Sequence, residues 1–302
     1  MSGDGAAQVL TGASIAAALD SPSIGDEIYA LAAEIYPICR SIAGPGVRET
    51  LAHLSKHAAI ETREVPTGTP ILDWTAPHEW IIRDAYIKNS AGERVVDFRT
   101  HNLHVLNYSA PFRGTLPLSE LKKNIFTLPD QPDLIPYRTS YYAERWGFCM
   151  SHNALLALPE GDYEAVIDAS FVDGSLSYGE FVHHGATEEE VLFSAHICHP
   201  SLANDNCSGL ALLTHLAKRL SGVKTRYTYR FLWAPGTIGA IAWLARNEAT
   251  VHRIKHGIVL SCVGDAGGFT YKRTRRRDAP IDRIMARVLA GKPANVIDFF
   301  PY

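Results

Sequence analysis

The order of elements after Glu190 constrains the fold more than any other feature of the chain. Val191-Leu192-Phe193-Ser194-Ala195 is a short apolar run bounded by polar residues, the texture of a strand buried on both faces. A loop rich in His, Asn and Pro follows, and Gly209 to Leu220 then carries Leu210, Leu213, Leu216, Ala217 and Leu220 at helical spacing. Tyr227–Trp233 reads as a second strand, Gly239–Arg246 as a second helix and Gly257–Val263 as a third strand. Strand, helix, strand, helix, strand predicts a right-handed parallel α/β sheet, whose ligands bind beyond the carboxyl ends of its strands. The loop that starts at His196 stands at such an end.

Upstream the texture differs. Met1 to about residue 24 is Ala/Gly/Ser-rich and is expected to be a disordered leader, with no cationic start of the kind a secretory signal carries. Glu27 to Cys39 places Ile28, Leu31, Ala32, Ile35 and Ile38 at helical spacing before Gly44-Pro45-Gly46 breaks the pattern, and Val47 to about His57 predicts a second short helix. From Pro66 short β-type runs take over: Trp80–Ile87, Val95–Phe98, Leu103–Tyr108 and, after several prolines, Tyr163–Phe171. The expected organisation is therefore an α/β domain made of 25–65 and 172–302, with a β-rich domain of 66–171 inserted. Aromatic density in the insert fits ordinary sandwich core and edge packing better than a recognition surface.

Of the 302 residues 46% are apolar and 20% charged, enough to bury a full core, and the formal net charge is −3. No global field recruits nucleic acid or an anionic membrane. The one basic run, Lys272-Arg273 with Arg275-Arg276-Arg277, reads as a solvated turn. No apolar run approaches the roughly 20 residues a bilayer span needs. Five unevenly spaced cysteines argue against a disulfide framework and for a cytoplasmic setting with reduced thiols. Gly264-Asp265-Ala266-Gly267-Gly268 follows a strand but lacks the spacing of a phosphate cradle.

The chemistry concentrates at His196, His199 and Asp205, all in one strand-to-helix loop. Divalent zinc takes imidazole nitrogens and carboxylate oxygens in a tetrahedral array, and such a loop can converge them. Alone, a His-x-x-His on a loop is more often a structural or surface pair than a ligand pair. The sequel sharpens it. Asn204-Asp205-Asn206-Cys207-Ser208-Gly209 opens the next helix, and strand, His, loop, Asp, Ser-Gly, helix resembles the zinc aminopeptidases of the co-catalytic two-metal type. Further strings resemble a bacterial family known by its aminopeptidase-like domain and associated with polysaccharide and antibiotic gene clusters. They are Pro37 to Ser41 with Gly44-Pro45-Gly46, Asp73-Trp74, Glu79-Trp80, Asn102-Leu103-His104, Asn107-Tyr108-Ser109, Pro136 through Tyr142, Trp146 to Cys149, and Cys198 to Ser201.

That resemblance, running from about Tyr36 onward, implies a zinc-aminopeptidase-like (phosphorylase/hydrolase-like) central sheet with His196 and Asp205 as metal ligands. Asn204 and Asn206 would shape the turn, and Gly209 would let the helix approach closely. The departures carry equal weight. Where the aminopeptidases hold two adjacent glutamates, this chain reads Ala234-Pro235-Gly236-Thr237; their orienting aspartate falls at Cys198, and their next metal aspartate near Ser261-Cys262. One zinc ion is expected rather than two, and its third ligand could be His199 or a residue that the resembled family carries further along its sequence. Glu180 and Asp265 are the candidate general bases, although each fits a structural or solvated carboxylate better. Cys198 and Cys207 fit packing thiols, and His152, His183 and His184 surface histidines. In the resembled family further candidate residues follow a Phe-Pro-Tyr like Phe300-Pro301-Tyr302, so an incomplete C-terminal part of the α/β domain is expected. The expected activity is metal-dependent hydrolysis of an amide in a small peptide or an aminoacylated small molecule. The alternative is an inactive binding or assembly module; a homo-oligomer is open under either.

Overall fold

A computed structural model describes residues 12–300. Its central sheet has five strands in the order Glu61–Pro66, Ser175–His183, Thr228–Ala234, Glu190–His196 and Ile254–Val259. The Glu190–His196 strand is parallel to both neighbours, Thr228–Ala234 and Ile254–Val259. The three strands read from the sequence are thus parallel, as expected, and Ser175–His183 alone runs the other way, antiparallel to both Thr228–Ala234 and Glu61–Pro66, which makes the sheet mixed. The reason is connectivity. Parallel neighbours need crossover helices, and only Gly209–Leu220 and Ile238–Asn247 supply them; Ser175–His183 enters directly from the preceding β-rich segment.

Side-chain alternation along Thr228–Ala234 divides the core. Phe231 and Trp233 face the helices Ile24–Ile35, Pro45–Leu54 and Gly209–Leu220, whereas Leu232 and Ala234 face Ile238–Asn247 through Ile238, Ala242 and Trp243. The first long helix stops at Ile35 rather than Cys39: Tyr36 keeps helical angles (φ −56°, ψ −47°), but Pro37 has no N–H to continue the helical ladder. The next begins with Pro45, whose fixed φ suits a first helical position. In place of a wholly disordered leader, Gly12–Leu19 forms a helix whose Ile15 and Leu19 pack on the core; residues 1–11 lie outside the described ones.

A second, four-stranded antiparallel sheet has the order Arg94–Asp97, Glu79–Lys88, Asp162–Val172 and Phe112–Pro117 and encloses its own core around Ala85, Ile87, Phe148 and Ile167. The expected strand Leu103–Tyr108 is not one. Asn102–His104 forms a single turn, and Asn102 and Asn107 turn inward to polar partners that an alternating strand could not reach. At the far end of the chain, Phe269–Lys272 pairs in parallel with Ala294–Ile297 across the helix Pro280–Val288. Within the basic run, Lys272 closes a strand, and Arg273 and Arg277 both engage Asp298. Among the described residues no helix is long and apolar enough to cross a membrane, and all five cysteines are free.

Candidate metal centre

His196 is the last residue of its strand, and the chain then loops over residues 197–208 before the helix Gly209–Leu220. Within the loop Asp205 and Asn206 leave helical geometry (φ −111°, ψ 82° and φ −144°, ψ 33°), and the peptide between them is cis. Gly209 permits this packing: a Cβ there would lie 2.3 Å from Asn206 Oδ1 and 2.6 Å from the Leu260 carbonyl oxygen. Asn204 closes the loop against the third parallel strand, accepting from Gly264 N–H at 2.8 Å.

The loop brings three donors together. His196 Nε2 lies 2.8 Å from Asp205 Oδ1 and 3.3 Å from His199 Nδ1, and His199 Nδ1 lies 3.3 Å from Asp205 Oδ2. Among the described residues this is the one cluster of three His, Cys, Asp or Glu side chains whose ligand atoms all lie within 4.8 Å of one another. Hydrogen bonds from His196 first, then His199, hold the Asp205 carboxyl well below the usual carboxylate range, so it is an anion at neutral pH. The two imidazoles are largely covered and Asp205 is 42% exposed, so the cluster opens to solvent on the carboxylate side.

Asn206 braces the strand end. Its Nδ2 has two hydrogens for three acceptors: the Leu260 carbonyl at 3.0 Å, the His196 carbonyl at 3.4 Å and His196 Nδ1 at 3.3 Å. The contacts fit the tautomer that carries its proton on Nε2, donating to Asp205 Oδ1, and leaves Nδ1 to accept from Asn206 Nδ2.

The remaining candidates stand elsewhere. Glu180 is not delivered to the site; its carboxylate accepts from Arg230 at 2.7 Å and from Trp243 Nε1 at 2.8 Å, inside an ion cluster with Glu190. Asp265 lies beside the loop, but its oxygens accept from Asn204 Nδ2 at 2.8 Å and Gly267 N–H at 2.7 Å. Neither contacts the two imidazoles. Cys198 is buried, its sulfur accepts from Gly236 N–H at 3.2 Å, and burial pushes its thiol up to about 11, so it stays protonated. A Cβ on Gly236 would lie 3.8 Å from His196 Cβ: the segment where a glutamate pair would stand runs beside the site and offers no carboxylate. His183 ends a strand rather than lying in a loop, and His152 Nδ1 pairs with Thr127.

Three contributors escape any reading of local spacing. Arg40, 1% exposed, donates to the His199 carbonyl at 2.7 Å and the Ile35 carbonyl at 2.6 Å and reaches Cys207 Sγ at 3.2 Å, so it grips the loop on both sides of Asp205. Tyr137, from the β-rich segment, sets its ring 4.9 Å from that of His199. Burial, with the Cys198 thiol adding to it, raises the Tyr137 phenol above its ordinary range. Asn107 joins them, donating to the Arg40 carbonyl and accepting from Tyr141, whose hydroxyl pairs with that of Tyr137. The signal available was the set of strings Pro37 to Ser41, Asn107 to Ser109 and Pro136 to Tyr142, which the structure gathers around this loop.

Residues 29–302 match the family model described as "Domain of unknown function (DUF4910)". The chain belongs to this family. A curated Clostridium acetobutylicum relative, provisionally named a polysaccharide biosynthesis protein with aminopeptidase-like domain, is 53% identical over 285 residues, 94% of this chain and 66% of the relative. The DUF4910 chain thus spans just under two-thirds of that relative's length. A crystal structure from C. acetobutylicum, provisionally described as a peptidase, superposes with a TM-score of 0.91 at 51% identity, covering 96% of this chain and 68% of the other. The zinc aminopeptidase BSAP from Bacillus subtilis superposes at 0.63 with 12% identity, over 92% of this chain and 81% of that one, which establishes the zinc-aminopeptidase-like fold for this DUF4910 member.

Proposed function

We propose that the chain is a metal-dependent amide or peptide hydrolase of the aminopeptidase-like type, holding one zinc ion on His196, His199 and Asp205. The convergence of these three donors carries the reading. Tetrahedral ligands at about 2.0–2.1 Å from zinc stand roughly 3.3 Å apart. Two of the observed separations, 3.3 and 3.3 Å, match that spacing, the third, 2.8 Å, is a direct hydrogen bond that an ion would open, and two imidazoles with one carboxylate are a zinc-binding set. Bound there, zinc would supply Lewis acidity toward a substrate carbonyl and acidify water to a pKa near about 7.

The chain's own groups do the rest. Asn206 holds the His196 ring at the strand end, Arg40 holds the loop backbone at His199, and Tyr137 packs the face of the His199 ring. The β-rich segment, about 66–171, forms one wall of the cleft through Tyr137 and selects substrate. Substrates of this reading are a small peptide or an aminoacylated small molecule; the relative's provisional place in polysaccharide biosynthesis favours an aminoacylated sugar. Nucleic acid and membranes have no part in it, and the five free thiols suit the cytoplasm.

The carboxylate-free segment at Gly236 favours a second reading, a binding or assembly module without catalysis. Metal analysis and hydrolysis assays separate the two. Protein purified without chelator should contain about one zinc per chain and release p-nitroaniline from leucine p-nitroanilide, with both lost in His196→Ala. Zinc without turnover supports the binding module, and no zinc after zinc addition sinks the hydrolase reading.

A further inference from the structure

A chain of hydrogen bonds of fixed polarity runs from the main chain of Arg40 to Tyr137, whose ring packs against His199 of the metal loop. Asn107 Nδ2 donates to the Arg40 carbonyl oxygen at 2.8 Å, which fixes the orientation of the amide. Asn107 Oδ1 therefore faces the other way, where Ser41 Oγ lies at 2.7 Å and Tyr141 Oη at 3.0 Å. An amide oxygen can only accept, so Tyr141 spends its single proton on Asn107. Tyr137 Oη lies 2.8 Å from Tyr141 Oη, and with the Tyr141 proton committed, Tyr137 must donate in that contact. Its own single proton is then committed as well.

What remains on Tyr137 Oη is lone-pair capacity, and Tyr137 packs against the ring of His199. The nearby Asp205 carboxylate also accepts only, and the segment at Gly236 adds no ionised group. A primary amine complements this surface. As an ammonium it carries three donors and no acceptor. An acetylated amine keeps a single N–H and adds an acceptor and an acyl group beside these accepting oxygens.

We propose that Tyr137, brought in from the β-rich segment, is a specificity-determining residue whose phenolic oxygen accepts an N–H from a primary amine adjoining the scissile carbonyl of the substrate. The inference rests on the hydrolase reading of the same site. It names a residue that local motif spacing does not reach, and it selects substrates with a free amine over their acylated counterparts.

The test is calorimetric binding of L-leucinamide and N-acetyl-L-leucinamide to zinc-loaded and metal-free protein, with leucine p-nitroanilide turnover measured alongside. Wild type should bind leucinamide at least about tenfold more tightly than the acetylated probe, the worth of one hydrogen bond to a charged group. Tyr137→Phe keeps the ring on His199 and removes the oxygen; it should lose about that tenfold for leucinamide and leave zinc content and acetyl-leucinamide binding unchanged. Tyr141→Phe keeps the Tyr137 oxygen but frees its proton, and should also reduce the preference, which a purely structural Tyr137 would not do. Equal leucinamide affinity in wild type and Tyr137→Phe overturns the proposal, as does a wild type that binds neither probe or prefers the acetylated one. A Tyr137-dependent amine preference without zinc or turnover sinks the hydrolase reading and leaves Tyr137 as the acceptor for the amine of a bound, uncleaved ligand.

Discussion

Glu79→Gln should separate the two sheets' mutual support from their internal packing. Glu79, 5% exposed, sits where the chain enters the second sheet, and its oxygens accept from Arg48 Nη1 at 2.6 Å and Nη2 at 2.7 Å. Oε1 also accepts from Ser175 N–H at 2.7 Å, where the chain returns to the central sheet. One carboxylate thus ties both crossings to the helix Pro45–Leu54. Hydrogen bonds to charged groups contribute about 1.5–3 kcal/mol each. Gln retains one acceptor oxygen, and the Arg48 side chain is 38% exposed and can rehydrate, so the net loss should be roughly 2 kcal/mol rather than the sum. For a chain of 302 residues that is a fall in Tm of about 3 °C, read by near-ultraviolet circular dichroism.

The pH dependence has a definite sign. Arg48's hydrogen bonds lower the Glu79 carboxyl from its usual value of 4.5, so its stabilisation is complete above that value and is lost as pH falls through the lower, folded-state pKa. The wild-type advantage should be full at pH 7 and should shrink as the pH is taken below 4.5. A variant that melts within about 1 °C of wild type at pH 7, or a gap that does not close in acid, refutes the reasoning.

Two further substitutions probe the loop. Arg40→Met fills a similar volume but strands the carbonyls of Ile35 and His199, which should cost about 1–3 kcal/mol each and weaken zinc binding by roughly 10–100-fold in a chelator competition; unchanged zinc affinity in a folded variant contradicts the clamp. Gly209→Ala forces its methyl onto Asn206 and the Leu260 carbonyl, at a cost of about 1–3 kcal/mol, and should lower zinc occupancy by displacing the brace on His196. Normal stability and occupancy would show that the helix accommodates a side chain there.

What the sequence made legible depends on how far apart the cooperating residues lie. His196, His199 and Asp205 share one loop, so ligand chemistry and spacing were enough to nominate them, and the strand and helix periods on either side placed that loop at a carboxyl edge. Glu180 looked available because its partners Arg230 and Trp243 are 50 and 63 residues away and meet it only through strand order and helix packing. Arg40 is 159 residues from the His199 carbonyl it holds, and no local period records that contact. Leu103–Tyr108 is a short run of β-type composition, yet the buried amides of Asn102 and Asn107 are claimed by Pro37, Ser201 and Arg40, and these tertiary partners override the local pattern. The antiparallel pairing of Glu61–Pro66 with Ser175–His183 was hidden for a related reason: these strands are neighbours only because the intervening segment folds back as a sheet of its own.

Diffraction from crystals of the zinc-treated protein, recorded above and below the zinc absorption edge, bears most directly on the account. It predicts a single anomalous peak within bonding distance of His196 Nε2, His199 Nδ1 and an Asp205 oxygen. No peak at that loop, or an ion held by other side chains while these three keep their hydrogen bonds to one another, would contradict it.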